Sequence, residues 1–118
     1  MIKTIGIASD HAGFISKKSL CEYIMSKNFK VKDLGCDTED SVDYPKYGLK
    51  LAKAVANKEV DLGVVICGSG IGISIAANKI KGVRAALCAS SFHAEMSKRH
   101  NYANVIAFGS RVSSIDEM

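Results

Sequence analysis

An apolar run that ends in a cysteine and three alternating glycines most constrains the fold of this chain. Residues 62–66 are apolar and rich in β-branched side chains, Cys67 follows, and glycines stand at positions 68, 70 and 72. A run that is apolar on both faces is typical of a central strand in a parallel sheet. A glycine-rich turn that leads from such a strand into a helix presents backbone N–H groups that can bind an anion. The segment therefore predicts a strand, loop and helix with a thiol beside an anion-binding loop.

Strand-like and helix-like segments alternate along the rest of the 118 residues. The predicted strands cover residues 2–8, 29–34, 62–66, 84–89 and 104–108, and the predicted helices cover 14–27, a segment from Pro45, a segment from about Gly72, and 91–99. This alternation predicts one α/β domain over residues 1–118, a three-layer Rossmann-like (flavodoxin-like) fold with a five-stranded parallel sheet and helices on both faces. The expected strand order is 2-1-3-4-5.

Two local expectations refine this picture. In the first helix, Ile15, Leu20, Tyr23 and Ile24 are expected to face the core, with the lysines on the solvent side. Near the end of the chain, Ser113 and Ser114 precede two acidic residues, which is typical of a helix start. Because the sequence ends at Met118, we expect a C-terminal helix to be missing and the natural protein to be longer.

Composition excludes several classes of protein. The formal net charge is +4, but the basic residues are scattered and tryptophan is absent, which favours anionic metabolites over nucleic acid as partners. No apolar run approaches the ~20 residues that span a bilayer, and the N-terminus lacks the pattern of a signal peptide. The four cysteines have no disulfide-like spacing, and neither His93 nor His100 stands near a cluster of carboxylates or thiols. We therefore expect a cytoplasmic protein with reduced thiols, no metal and no membrane contact.

Chemically active side chains follow the first and third strands. Asp10 and His11 come after the first, and Cys67 and Ser69 come after the third. Ligands of open parallel sheets bind beyond the carboxyl ends of the strands, where the strand order reverses. A carboxylate, an imidazole, a thiol and a hydroxyl are therefore expected in one crevice. The structural alternative stays open: Asp10 caps the first helix, and Cys67 fills the core as a small apolar side chain.

Nucleotide-binding motifs do not fit the glycine loop. It lacks the Gly-Lys-Ser/Thr of a P-loop, and Ile73 stands where the third glycine of a dinucleotide fingerprint belongs.

Two further positions invite a functional interpretation. Arg111 follows the fifth strand and could grip a phosphate through paired donors, or it is a solvated loop residue. His100 lies at the end of the fourth helix, at the opposite edge of the sheet from Cys67. If His100 is functional, it is expected to serve a neighbouring subunit, and the alternative is a histidine stabilised by the helix C-terminus.

Four collinear motifs resemble the type B ribose 5-phosphate isomerases, a family that also contains the galactose 6-phosphate isomerase subunits. The motifs cover residues 9–14, 43–45, 67–79 and 100–111. The resemblance implies a Rossmann-like sheet, a homodimer or dimer of dimers with shared active sites, no metal or other cofactor, and a small phosphorylated sugar as substrate. It implies interconversion of ribose 5-phosphate and ribulose 5-phosphate through a cis-enediolate.

The resemblance also implies a role for each matching residue. Cys67 would be the general base for the C2 proton, Ser69 would move a proton between O1 and O2, His100 would open the sugar ring, and Asp10 would lie near the ring oxygen. The remaining residues would contact the substrate: His11 and Arg111 at the phosphate, Gly68, Gly70, Ile71 and Gly72 around the enediolate, and Asn101 and Tyr44 along the sugar.

Alternatives remain within and beyond this chemistry. Galactose 6-phosphate and allose 6-phosphate are possible substrates, although the resemblance ties His100 and Asn101 to the pentose enzymes. A phosphosugar-binding module without catalysis is an alternative of another class. A thiol redox protein is not favoured, because no second cysteine lies within a turn of Cys67.

Overall fold

The computed structural model describes residues 2–118 and confirms the alternation of strands and helices. The elements are β1 (Thr4–Ser9), α1 (Phe14–Ser26), β2 (Lys30–Asp33), α2 (Tyr44–Ala56), β3 (Leu62–Cys67), α3 (Ile71–Ala77), β4 (Ala85–Leu87), α4 (Ser91–Asn101) and β5 (Val105–Gly109), with a short 3-10 helix over His11–Gly13. These boundaries differ from the predicted ones by one or two residues. Pro45 lies in the first turn of α2, where its missing N–H costs nothing.

All strand pairs are parallel, and the sheet order is β2-β1-β3-β5-β4. The predicted order 2-1-3-4-5 is therefore wrong for the last two strands. The physical reason is burial: Val105 and Ala107 of β5 are fully enclosed, whereas β4 has three residues and exposes Leu87. A short, exposed strand suits the edge of a sheet, and an apolar strand suits its interior.

The exchange of β4 and β5 has a consequence for the edge that carries Cys67. In the observed register, Gly109 of β5 lies directly beside Cys67 of β3. In the predicted order β4 would separate them, and each intervening strand adds about 4.8 Å. The segment after β5 is therefore one strand closer to the thiol than expected.

Two layers of helices cover the sheet, as predicted. Helices α2 and α3 pack on one face over a core that includes Leu51, Val65 and Ile73, and α1 lies on the other face over Ile7 and Ile66. A Cβ at Gly48 of α2 would stand 3.0 Å from Ile73 Cγ1, so this glycine lets α2 and α3 approach closely.

The predicted apolar stripe of α1 is wrong at several positions. Ile15 and Tyr23 are 58% and 59% exposed, whereas Lys17 is 1% exposed. The buried side chains of α1 are Ser16, Lys17, Leu20 and Cys21, at helical spacing on one face. Lys17 tolerates this position because its ammonium pairs with Asp33 at the end of β2.

Near the end of the chain, Ser114 and Glu117 of the predicted helix start form reciprocal hydrogen bonds. The Ser114 N–H donates to Glu117 Oε1 at 2.8 Å, and the Glu117 N–H donates to Ser114 Oγ at 3.3 Å. These reciprocal bonds are those of a capping box. The Ser114 donor also lowers the pKa of the Glu117 carboxyl.

Candidate active site

A cavity of about 430 Å³ lies at the carboxyl ends of β1 and β3. Its lining residues are Asp10, Tyr44, Cys67, Gly68, Ser69, Ile71, Gly72 and Arg111. The volume falls in the range of small-molecule sites, and the position is the point where the strand order reverses. The structure thus brings together eight of the twelve side chains and loop residues that the sequence predicts.

The thiol of Cys67 lies at the base of this cavity. Cys67 is the last residue of β3 and is 5% exposed, and the Gly70 N–H donates to its Sγ at 3.1 Å. A backbone donor to sulfur stabilises negative charge on that atom. Cys67 also packs in the core beneath α2 and α3, so the structural and functional interpretations of this residue both apply.

Gly70 makes the donor to Cys67 possible, although it does not line the cavity itself. Its φ of +81° lies in the left-handed region that favours glycine. A Cβ at this position would stand 2.8 Å from the carbonyl carbon of Phe108, so the loop also needs glycine for close packing against β5.

The hydroxyl of Ser69 is held by the same loop. Its Oγ accepts a hydrogen bond from the Ile71 N–H at 3.1 Å, which leaves the hydroxyl proton free to donate. The N–H groups of Gly70 and Ile71 are therefore both occupied within the loop. The loop offers an incoming anion fewer free backbone donors than the sequence predicts.

Asp10 serves the structure and lines the cavity. Its Oδ1 accepts hydrogen bonds from the N–H groups of Ala12 and Gly13 at 2.9 and 3.2 Å, which caps the 3-10 helix. The structural alternative placed this cap on the first helix, whereas the structure places it on the 3-10 helix that precedes α1, and Gly13 is the N-cap residue of α1. Because Asp10 also lines the cavity, its second carboxylate oxygen is available to a ligand.

His11 lies beside the cavity and is held by the segment that connects β2 to α2. The Val42 N–H donates to His11 Nδ1 at 3.0 Å. Because Nδ1 accepts this bond, the ring proton of the neutral imidazole lies on Nε2, which becomes the free donor. The two residues are 31 positions apart, and the donor is a backbone group, so no side-chain pattern could have revealed this contact.

Arg111 reaches the cavity because of the observed strand order. Backbone bonds tie its segment to the loop after β3: the Ser110 N–H donates to the Cys67 carbonyl at 2.8 Å, and the Arg111 N–H donates to the Gly68 carbonyl at 2.9 Å. A Cβ at Gly68 would stand 2.9 Å from Arg111 Nη1, so the guanidinium lies over this glycine.

Gly72 makes similar room for Tyr44. A Cβ at Gly72 would stand 2.7 Å from the Tyr44 ring, so the ring lies over the first turn of α3. The tyrosine therefore forms part of the cavity wall beside the first turn of α3.

His100 and Asn101 do not join this cavity within the chain. Both are exposed at the end of α4, and Asn101 lines a separate cavity of about 330 Å³ together with Arg84 and Asn78. The Arg84 guanidinium donates to the Asn101 carbonyl and anchors this helix end. Since Arg84 precedes β4, this region lies at the amino ends of the strands, opposite Cys67, as the sequence predicts.

Neither a metal-binding cluster nor a membrane-spanning helix lies within residues 2–118. No group of three or more His, Cys, Asp or Glu side chains is arranged to hold a metal ion. No helix in this part of the chain combines the length and apolarity needed to cross a membrane.

Comparison with known proteins shows what family of sequences the chain resembles. The sequence model of the ribose/galactose isomerase family matches residues 5–118. The chain is 44% identical over 115 residues to ribose-5-phosphate isomerase B of Escherichia coli, covering 98% of this chain and 77% of that protein.

Solved structures are similar along nearly the whole chain. The ribose-5-phosphate isomerase B of Clostridium thermocellum superposes with a TM-score of 0.96 at 49% identity, over 97% of this chain and 77% of that one. The enzyme of Mycoplasma genitalium, solved with bound ribulose-5-phosphate, superposes with a TM-score of 0.92 at 42% identity, over 99% of this chain and 78% of that one.

Proposed function

We propose that this chain, which belongs to the ribose/galactose isomerase family, interconverts D-ribose 5-phosphate and D-ribulose 5-phosphate. The observation that carries the proposal is the Cys67 thiol, which accepts a backbone N–H and lines a cavity that also contains Ser69 and Arg111. The similar fold of the Mycoplasma genitalium enzyme with bound ribulose-5-phosphate supports the choice of substrate.

In the first chemical step, Cys67 acts as the base. The thiolate takes the proton from C2 of the open-chain aldose, and the electrons of the broken C–H bond form a C1–C2 double bond. The carbonyl oxygen O1 gains the negative charge of a cis-enediolate. The Gly70 N–H stabilises the thiolate before this step, and after it the sulfur carries the proton that C1 later receives.

In the second step, Ser69 transfers a proton between the sugar oxygens O1 and O2. Its hydroxyl proton is free because the oxygen accepts the Ile71 N–H, so it can protonate O1 while O2 gives up its proton. The C2 carbonyl of the ketose then forms as C1 takes the proton from Cys67. Gly68, Gly70, Ile71 and Gly72 surround the enediolate in this assignment.

The residues around the cavity bind the substrate in this proposal. Arg111 lies over Gly68 and presents paired donors to the phosphate, and His11 adds its Nε2–H. The free oxygen of Asp10 accepts a hydroxyl near the ring oxygen, and Tyr44 packs along the sugar. A single proton-transfer residue contributes ~10²–10⁴-fold, so the remaining acceleration must come from this binding and from stabilisation of the enediolate.

The opening of the sugar ring is assigned to His100 of a neighbouring subunit. Within one chain His100 and Asn101 lie at the edge of the sheet opposite Cys67, so they cannot complete their own cavity. A homodimer, or a dimer of dimers, in which α4 of one subunit meets the cavity of the other would bring them to the substrate.

A product assay with three sugar phosphates tests the proposed function. Ribose 5-phosphate, galactose 6-phosphate and allose 6-phosphate are incubated separately with the protein, and ketose formation is followed by NMR. Ribulose 5-phosphate should form fastest. Galactose 6-phosphate is the second candidate because the family includes galactose isomerases. A protein that binds these sugars but forms no ketose from any of them would be a binding module, contrary to the proposal.

The Cys67→Ala variant tests the base. Loss of the thiol should lower kcat by about 10²–10⁴-fold with a smaller change in KM, because the substrate contacts remain. Cys21→Ala removes a buried thiol of α1 that does not line the cavity and is the matched control, with kcat close to that of the original protein. Turnover by Cys67→Ala at the rate of this control would refute the assignment.

A further inference from the structure

The side chain of Lys17 on α1 is buried, although a lysine at an exposed position of the helix would avoid the desolvation of its ammonium. Lys17 is 1% exposed, whereas the next residue, Lys18, is exposed to solvent. Lys17 Nζ lies 2.8 and 2.6 Å from the two carboxylate oxygens of Asp33, and 5.4 Å from the centre of the Phe14 ring. Desolvating a charge is unfavourable, and apolar residues often stabilise a fold better than a buried ion pair does. Asp33 is 45% exposed, so the pair desolvates mainly Lys17, and its two hydrogen bonds fix the position of the Asp33 carboxylate at the end of β2.

Hydrogen bonds lead from this pair to the end of β1. Asp33 Oδ1 also accepts the Gly35 N–H at 2.9 Å. The Gly35 carbonyl accepts the Ser9 N–H at 2.8 Å, and the Cys36 N–H donates to the Ser9 carbonyl at 3.0 Å. Ser9 is buried and immediately precedes Asp10 in the cavity wall. The ion pair thus anchors the backbone that presents Asp10.

The same connecting segment, residues 34–43, reaches the imidazole of His11. The Val42 N–H near its far end donates to His11 Nδ1 at 3.0 Å. The segment then enters α2 at Tyr44, which lines the cavity. Segment 34–43 is therefore held at its start by Lys17 and Asp33, and at its end it contacts a residue of the proposed phosphate site.

We propose that Lys17 and Asp33 form a positioning pair for the active site. By anchoring segment 34–43, the pair keeps the Val42 N–H on His11 Nδ1 and so leaves the proton on Nε2, facing the substrate phosphate. This role rests on the proposed function, because it assigns the free Nε2–H of His11 to the phosphate. Neither residue of the pair lines the cavity.

The test compares Lys17→Met with Lys18→Met, its exposed neighbour on the same helix. Methionine keeps a flexible, unbranched side chain one atom shorter than that of lysine and removes the charge. Asp33 remains solvated because its side chain is 45% exposed. Amide exchange at Gly35 and Val42 should become about tenfold faster in Lys17→Met, the effect of losing roughly one charge-assisted hydrogen bond. The ¹⁵N signals of His11 should shift towards a mixture of tautomers, and KM for ribose 5-phosphate should rise more than kcat falls. Lys18→Met should match the original protein in all three measurements.

A purely structural role would produce a different pattern. Exchange that accelerates equally throughout the sheet in Lys17→Met, or unchanged signals for Val42 and His11, would overturn the proposal. The double variant Lys17→Met/Asp33→Asn contains no unpaired charge and guards against a folding defect in the single variant. It should show the same faster exchange at Val42, and exchange at the original rate would also overturn the proposal.

The outcome is separable from that of the proposed function. Exchange rates and imidazole signals are measured without substrate, so they test the positioning pair in any case. A protein with no activity on ribose 5-phosphate, but with the expected response of Val42 and His11, would refute the proposed function and leave the role of the pair in place.

Discussion

The environment of its sulfur distinguishes Cys67 from two other buried thiols, those of Cys21 and Cys88. Burial raises the pKa of both Cys21 and Cys88, and the Asp33 carboxylate raises that of Cys21 further. Both therefore stay protonated at neutral pH, and protonated thiols are poor nucleophiles. Cys67 lines an open cavity and accepts a backbone N–H, which stabilises the thiolate. The three cysteines are alike in burial, but of these only Cys67 lines the cavity and accepts a hydrogen bond from a backbone N–H.

This difference predicts selective alkylation. Iodoacetamide should modify Cys67 of the native protein faster than Cys21 or Cys88, because the thiolate is the reactive form. Mass spectrometry of digests taken over time gives the rate at each cysteine. Protein unfolded in urea is the control, in which the three rates should converge. Equal rates in the native protein would leave no case for an activated thiol.

At the scale of elements, the contact between β5 and the loop after β3 builds the cavity wall. Gly109 ends β5, and a Cβ there would stand 2.5 Å from the Ser69 carbonyl oxygen. The obstruction is backbone, which cannot move aside as a flexible side chain does. The pairing of these two elements thus depends on the absence of one methyl group, and the hydroxyl of Ser69 and the guanidinium of Arg111 both depend on that pairing.

Gly109→Ala is therefore expected to damage stability and activity together. Overpacking at this contact should cost about 1–3 kcal/mol of unfolding free energy and displace the loop, so kcat should fall as well. Gly82→Ala is the control: its φ of +92° strains any other residue, but a Cβ there meets nothing within 4 Å, and the position lies far from Cys67. Urea unfolding and steady-state kinetics should show a stability loss in both variants and an activity loss only in Gly109→Ala. Unchanged kcat in Gly109→Ala would contradict this account.

At the scale of the whole molecule, one chain presents two halves of a site at opposite edges of its sheet. Cys67 and Arg111 line the cavity at the carboxyl ends of the strands, whereas His100 and Asn101 lie beyond the amino end of β4. If both halves act on one sugar, two chains must meet with these edges in contact. The proposed sharing of sites between subunits therefore requires a dimer in which these two edges face each other.

Subunit mixing tests the sharing of sites. Cys67→Ala and His100→Ala should each be nearly inactive alone. Unfolded together and refolded, they should recover about a quarter of the original activity, since half of randomly formed dimers are mixed and each restores one of its two sites. Mixing Cys67→Ala with Ser69→Ala is the control and should recover nothing, because both residues belong to the same edge of one chain. No recovery in the first mixture would refute shared sites.

Much of the fold follows from local patterns that the sequence alone determines. The apolar run of β3, the glycines after Cys67 and the proline that opens α2 each act within one element, and their predicted elements are present within two residues. The convergence of Asp10, Cys67 and Ser69 was also predictable, because parallel strands end at one edge of a sheet. Periodicity and turn chemistry depend on neighbours along the chain, which are visible in the sequence.

The remaining features depend on partners that are distant in the sequence. Hydrophobic periodicity does not show which of two strands lies in the interior of the sheet. The placement of β5 beside β3, which brings Arg111 to the cavity, depends on how each strand packs against the rest of the sheet. The pattern of α1 placed Lys17 in solvent, because an ion pair that compensates burial requires Asp33 on another element. The bond from Val42 to His11 arises from a backbone donor that every residue except proline possesses. In each case the deciding energy comes from a contact between elements.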